Sequence, residues 1–181
     1  MSISIFLSYP KPHLKKQETF IESLKNYLTG RGFSPKTLGV NEYDMDVPLT
    51  SIRRLMLESN GIITIAFRRL FVEHGTFRKD ADILGVDENH YDGFWLTSPY
   101  CHIEPAMAYQ LGLPILIVRE KGVHMEGLLE RGAVGTYLPE FSLDGDPTEY
   151  FRTPEWNSLI GKWEGYVRSV VDVKGKPPRL F

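Results

Sequence analysis

Apolar and polar positions along the chain follow two periods, and the changes between them mark out the elements. Residues 2–8 (S-I-S-I-F-L-S) alternate and then become continuously apolar, which predicts a strand inside a sheet, stopped by Tyr9-Pro10-Lys11-Pro12. Residues 17–29 place Phe20, Ile21, Leu24, Tyr27 and Leu28 on one helical stripe ahead of Gly30 and Gly32. A short strand follows at 33–38, which Pro35 limits to an edge or to a short extension. After a polar loop at 39–48, a helix starts at Thr50 or Ser51, turns Ile52, Leu55 and Met56 inward, and closes at Ser59-Asn60-Gly61. The clearest strand is 61–67 (G-I-I-T-I-A-F). A long connection, 68–97, comes next, with a short helix near 77–84 and an acidic, aromatic tip at 87–95. Connections of that length are usually binding elements or lids.

The stretch 97–118 (T-S-P-Y-C-H-I-E-P-A-M-A-Y-Q-L-G-L-P-I-L-I-V) reads as a helix closed by Gly112, then a charge-free strand at 113–118 that suits the interior of a parallel sheet. A short helix at 124–131, an edge strand at 135–141 and a loop at 142–153 follow. Trp156, Ile160, Trp163, Val167 and Val170 then form the apolar side of a helix at 155–171, and the tail with Pro177-Pro178 is expected to be poorly ordered. Strand and helix alternate five times. That pattern predicts a three-layer, flavodoxin-like α/β sandwich around a central five-stranded parallel sheet, with right-handed crossovers.

Length and composition narrow this further. A chain of 181 residues with 42% hydrophobic and 24% charged residues predicts one folded domain, 1–172, carrying the 68–97 insertion and a tail at 173–181. A net charge of -2 argues against binding nucleic acid through its phosphates. A single cysteine, Cys101, rules out an intramolecular disulfide and fits a reducing, cytoplasmic setting. Neither a signal peptide nor a membrane-length apolar run is visible, so no membrane partner is expected.

Several chemistries are missing their signatures. The first strand is not followed by G-x-G-x-x-G, no P-loop is present, and the five histidines lack metal-ligand spacing, so neither a resident cofactor nor a metal is expected. Glu104 stands out instead. It precedes Pro105, which favours a place at the helix N-cap, where the helix dipole stabilises a carboxylate by up to about 1 kcal/mol. Ser98, Tyr100, Cys101 and His102 surround it in sequence. A carboxylate at a helix mouth beside the carboxyl end of a parallel sheet is where open α/β proteins hold ligands. Cys101 also reads as a small buried residue.

From residue 4 to about 141 the chain resembles the TIR (Toll/interleukin-1 receptor) domain family. F-L-S-Y at 6–9 looks like that family's opening box, and D-V-P at 46–48 is similar to its BB loop. S-N-G-I-I-T-I-A at 59–66 matches its αB–βC junction, and S-P-Y-C-H-I-E at 98–104 fits the pattern of TIR domains that cleave NAD+. Pro105, where that family usually has leucine or isoleucine, and the length of 68–97 are departures. The opening I-F-L-S and E-P-A-M-A-Y-Q-L-G-L-P-I are also similar to nucleoside 2-deoxyribosyltransferases, although the usual aspartates near the glutamate are missing. A non-catalytic TIR-like interaction module is the third reading.

The first resemblance implies an NAD+ glycohydrolase or cyclase, with NAD+ as substrate and no further cofactor. Glu104 would be the catalytic residue. Ser8, Tyr9, Arg68, Trp95, Ser98, Tyr100 and Cys101 are the candidate substrate-binding residues: Ser8 and Tyr9 at the end of the first strand, Tyr100 or Trp95 for stacking, and Arg68 or its neighbour Arg69 for the pyrophosphate. It also implies self-association through the 39–48 loop, a separate effector protein, and a setting like that of bacterial antiphage sensors.

Overall fold

The computed structural model describes residues 2–38, 47–133 and 137–173. Its main sheet is built from β1 (Ile3–Ser8), β2 (Phe33–Lys36), β3 (Ile62–Ala66), β6 (Ile115–Glu120) and β7 (Glu140–Phe141). Their order is β2-β1-β3-β6-β7, and every pairing is parallel. With the hairpin strands β4 (Leu70–Phe77) and β5 (Asn89–Leu96) set aside, this is the doubly wound flavodoxin-like order. β2 lies at the edge, and Pro35 pairs there opposite Ile5.

Side chains alternate across the strands and so build two cores. One face carries Ile5, Leu7, Ile63, Ile65 and Val118 against α1 (Lys15–Gly30) and α4 (Pro154–Val173), with Phe20, Leu24, Trp156 and Trp163 among the filling residues. On the other face Phe6, Ile62, Ala66 and Ile117 meet α2 (Pro48–Leu57) and α3 (Tyr100–Gln110). Gly61 lets α4 approach, because a Cβ there would lie 2.6 Å from Val167 Cγ2.

Four expectations need correction. The 68–97 connection holds no helix near 77–84. It is an antiparallel ribbon with an exposed tip at 78–88, and 89–96 is its returning strand rather than a tip. Its base is tied down where Trp95 N–H donates to the carbonyl of Gly122 (3.2 Å) and His124 N–H donates to the carbonyl of Trp95 (2.7 Å). The expected helix at 124–131 contracts to a 3-10 turn, Gly127–Leu129, in which Gly127 has a φ of 55° and its missing Cβ leaves room for the His102 ring. β7 covers two residues of the expected 135–141, of which 135 and 136 lie outside the described residues. α2 begins at Pro48 rather than at Thr50 or Ser51, with proline in the first helical turn. Of the 39–48 loop only Val47 and Pro48 are described, and the tail from 174 also lies outside the described residues. No helix among the described residues is long and apolar enough to cross a membrane.

Candidate active site

In the β2-β1-β3 arrangement the crossovers on either side of β1 run to opposite faces, and the carboxyl ends of β1 and β3 are where doubly wound sheets hold ligands. α3 packs against β1 and β3 there. It ends as expected: Gly112 takes φ 69°, its N–H bonds the carbonyl of Tyr109 (2.9 Å), and Leu113 N–H bonds that of Ala108 (3.0 Å). Its start differs from expectation. Pro99 is the N-cap, and Ser98 Oγ accepts the N–H of Tyr100 at 3.3 Å. Glu104 is therefore the fifth helical residue and Pro105 the sixth, inside the helix, where it leaves the Cys101 carbonyl without its usual donor. The local preference of a Glu-Pro pair yields here to packing: Cys101, Glu104, Pro105 and Ala108 form the buried stripe of α3.

That stripe aims Glu104 at the sheet. Cys101, one turn before, packs with Ala66 and Ile117; Ala108, one turn after, packs with Phe6 and Ile62. Glu104 lies between them and retains 8% exposure. Burial pushes its pKa from the usual 4.5 to about 7, and only the Ser8 hydroxyl works the other way. Ser8 Oγ lies toward the carboxylate and favours its ionised form as a hydrogen-bonding hydroxyl does, yet it completes no hydrogen bond of good geometry to any described residue. No cation among the described residues pairs with Glu104, so the carboxylate is buried, uncompensated and poised near neutrality.

The other sequence-predicted residues divide. Ser8 joins Glu104. Ser98 is buried at the helix entry, and Tyr100 beside it is 41% exposed. Tyr9 points to the opposite face: it packs against the α1 core, accepts a hydrogen bond from Lys25 Nζ at 3.0 Å and carries that cation over its ring. There it lines a cleft of about 480 Å³ with Lys11, Glu22, Lys25, Thr37 and Leu38, at the carboxyl ends of β1 and β2.

Three candidates are placed elsewhere. Cys101 is buried in the core with its thiol pushed up to about 12, chiefly by desolvation. Trp95 packs with Ala66, Cys101 and Val123, and its ring centroid lies 4.9 Å from that of Phe71, so it anchors the hairpin. Arg68 is held by structural bonds: its N–H donates to Glu120 Oε2 (2.9 Å), and its Nε donates to the Lys121 carbonyl (2.6 Å) and pairs with Glu120 Oε1 (3.8 Å). Gln17 completes this cluster, donating to Glu120 and to the Arg68 carbonyl while its Oε1 accepts the N–H groups of His13 and Leu14 at the start of α1. His102 faces the Gly127 turn. Two residues that matter here carry little signal in the sequence. Lys25 is marked only by its place one turn after Ile21, at the margin of the α1 stripe, and Thr64 is a lone hydroxyl in an apolar strand.

No protein-family model matches this chain, and no curated protein matches it. Among solved structures it is similar to BcmB, a CMP N-glycosidase from Clostridium botulinum, at 17% identity over 82% of this chain and 95% of that one, TM-score 0.46. It is also similar to the TIR domains of the activated Roq1 resistosome, at 13% identity over 96% and 86%, TM-score 0.43. A third is FerB, a flavoenzyme NAD(P)H:(acceptor) oxidoreductase from Paracoccus denitrificans, at 10% over 94% and 95%, TM-score 0.34. These likenesses carry no residue role across to this chain.

Proposed function

We propose that this chain cleaves the N-glycosidic bond between nicotinamide and ribose in NAD+, with Glu104 as the catalytic residue. The observation that carries the reading is the Glu104 carboxylate: buried beside Ser8 at the carboxyl end of β1, with no cationic partner among the described residues. Such a group is costly to ionise alone and favourable to ionise beside a positive ligand. The pyridinium of NAD+ supplies that charge in the ground state, and the oxocarbenium-like ribose supplies it as the bond breaks.

The leaving group is already cationic and departs neutral without a general acid. The C1′–N bond breaks with its electron pair going to the nicotinamide nitrogen. Water then adds at C1′ and loses a proton, giving ADP-ribose; attack by an adenine nitrogen of the same molecule gives a cyclised product instead. Glu104 holds the ribose hydroxyls and stabilises the developing charge, a role whose removal costs roughly 10²–10³ in rate for comparable groups.

The cleft on the far side of β1 favours a dinucleotide over a nucleoside. It begins at Tyr9, next to Ser8, and has room for a pyrophosphate, with Lys11 and Lys25 set against Glu18 and Glu22 along its lining. The test is mass spectrometry of purified protein incubated separately with NAD+, CMP and deoxynucleosides, with Glu104→Gln as control. Nicotinamide release that disappears in the folded variant supports the reading. Base release from CMP or a deoxynucleoside alone overturns the substrate, and turnover of NAD+ by Glu104→Gln overturns the catalytic residue.

A further inference from the structure

Two hydroxyls stand side by side near the carboxyl end of the sheet, and neither completes a hydrogen bond of good geometry. Ser8 Oγ, at the end of β1, belongs to a residue 2% exposed, and Thr64, on β3, is fully buried. Neither hydroxyl has a hydrogen-bond partner among the described residues. The two residues are register partners on adjacent parallel strands, whose backbones lie about 4.8 Å apart. Strand parity turns both toward α3. Phe6 and Ile62, two positions earlier, pack with Ala108, and Ala66, two positions after Thr64, packs with Cys101. Glu104 sits on the helix stripe between those two contacts. Buried hydroxyls in native proteins are nearly always bonded, so a buried Thr64 hydroxyl with no partner among the described residues, beside a Ser8 only loosely set on the carboxylate, requires an account.

We infer that Thr64 is a positioning residue for Glu104: its hydroxyl donates to Ser8 Oγ, directly after a side-chain rotation or through one buried water, and so turns the Ser8 O–H onto the carboxylate. The inference rests on the reading of Glu104 as the catalytic carboxylate. A hydroxyl that accepts one hydrogen bond is a better donor of the next, so Thr64 strengthens the bond Ser8 makes. Ser8 is then held in the rotamer that favours ionised Glu104, and the carboxylate is fixed in orientation before substrate arrives. Cys101, the titratable neighbour one turn earlier on α3, stays a neutral thiol and adds no charge to the balance. The competing account makes Thr64 a β-branched filler of a strand interior. Thr64→Val keeps the shape and removes only the hydroxyl, so it separates the two.

The experiment titrates the Glu104 carboxyl carbon by NMR in ligand-free protein, the resonance being assigned by its loss in Glu104→Gln. Nicotinamide release is followed against pH in the same variants. Thr64→Val is expected to raise the proton affinity of Glu104 about two- to tenfold, the range of one ordinary hydrogen bond. It should lower kcat by a similar factor and leave KM within about twofold. Thr64→Ser should restore both. In a Ser8→Ala background Thr64→Val should change nothing further. An unmoved titration in folded Thr64→Val, or an equal shift with Ser8 already removed, overturns the inference. If Thr64→Val does not fold, Thr64→Ala compared with Thr64→Ser makes the same test. A shifted titration without nicotinamide release from NAD+ supports the contact and overturns the substrate reading alone.

Discussion

Replacing Glu104 by glutamine should make this protein more stable while removing its activity, and the gain should depend on pH. The sequence alone pointed the other way: a carboxylate at a helix N-cap would lose up to about 1 kcal/mol of dipole stabilisation on neutralisation. The structure buries the side chain within α3 and raises its pKa from the usual 4.5 to about 7. A carboxyl whose folded pKa is raised binds its proton more tightly in the folded state than in the unfolded one. Stability is therefore lost as pH rises from below 4.5 to above 7, and it stays lost at higher pH. The full penalty is about 3 kcal/mol at pH 8.5 and about 1 kcal/mol at pH 5.

Relaxation of the site and the remaining exposure reduce the high-pH figure to roughly 1–3 kcal/mol. Glutamine matches the protonated carboxyl in shape and charge, so it escapes the penalty. Urea unfolding of wild type and Glu104→Gln at about pH 5 and pH 8.5 reads the difference directly. Thermal melts should show about 2–4 °C per kcal/mol for a domain of this size. A variant less stable than wild type at the higher pH, or a difference that does not change between the two pH values, refutes the assignment of an uncompensated buried carboxylate. A stabilised variant that still turns over NAD+ leaves the electrostatics standing and removes the catalytic role.

Three other outcomes follow from the same geometry. kcat/KM for NAD+ should rise with pH through about 7, because the free enzyme must ionise Glu104; a profile falling through that range would make the carboxyl a proton donor instead. Cys101, buried and pushed up to about 12, should resist iodoacetamide at about pH 8 in folded protein, and Cys101→Ala should keep its activity; rapid alkylation with loss of turnover would return it to the site. Arg68→Ala should lower stability by about 1–3 kcal/mol, since it leaves Glu120 buried with a weaker partner set, and should leave KM for NAD+ unchanged within about twofold; a large rise in KM at unchanged stability would restore its assignment to the pyrophosphate.

What could be read from the chain was whatever a local period reports. The α1 stripe, the buried β3 run and the apolar side of α4 each bury one continuous face, so their spacing announces them. The hairpin was hidden because β4 (L-F-V-E-H-G-T-F) is exposed along most of its length and shows no burial period. Its identity rests on a partner strand across the ribbon, with Leu70 opposite Leu96 and Phe77 opposite Asn89. Pro105 misled for a related reason. Local rules place a Glu-Pro pair at a helix start, whereas the stripe of Cys101, Glu104 and Ala108 against the sheet extends the helix back to Tyr100.

The site was legible in part on the same grounds. A carboxylate within an apolar stripe is conspicuous, and a serine closing a buried strand is nearly so. Which face a neighbour takes is settled by strand parity and by the hairpin's docking. Those put Tyr9 on the α1 side, tie Arg68 to Glu120, and send Trp95 to the ribbon's base. Thr64 was the least visible, because a β-branched residue in a strand needs no explanation until its register partner is known to be Ser8. Its significance lies wholly in that pairing. A hydroxyl left unbonded in a buried interior destabilises the fold, and one that holds Ser8 against an ionised Glu104 recovers that cost in the charged state the reaction requires.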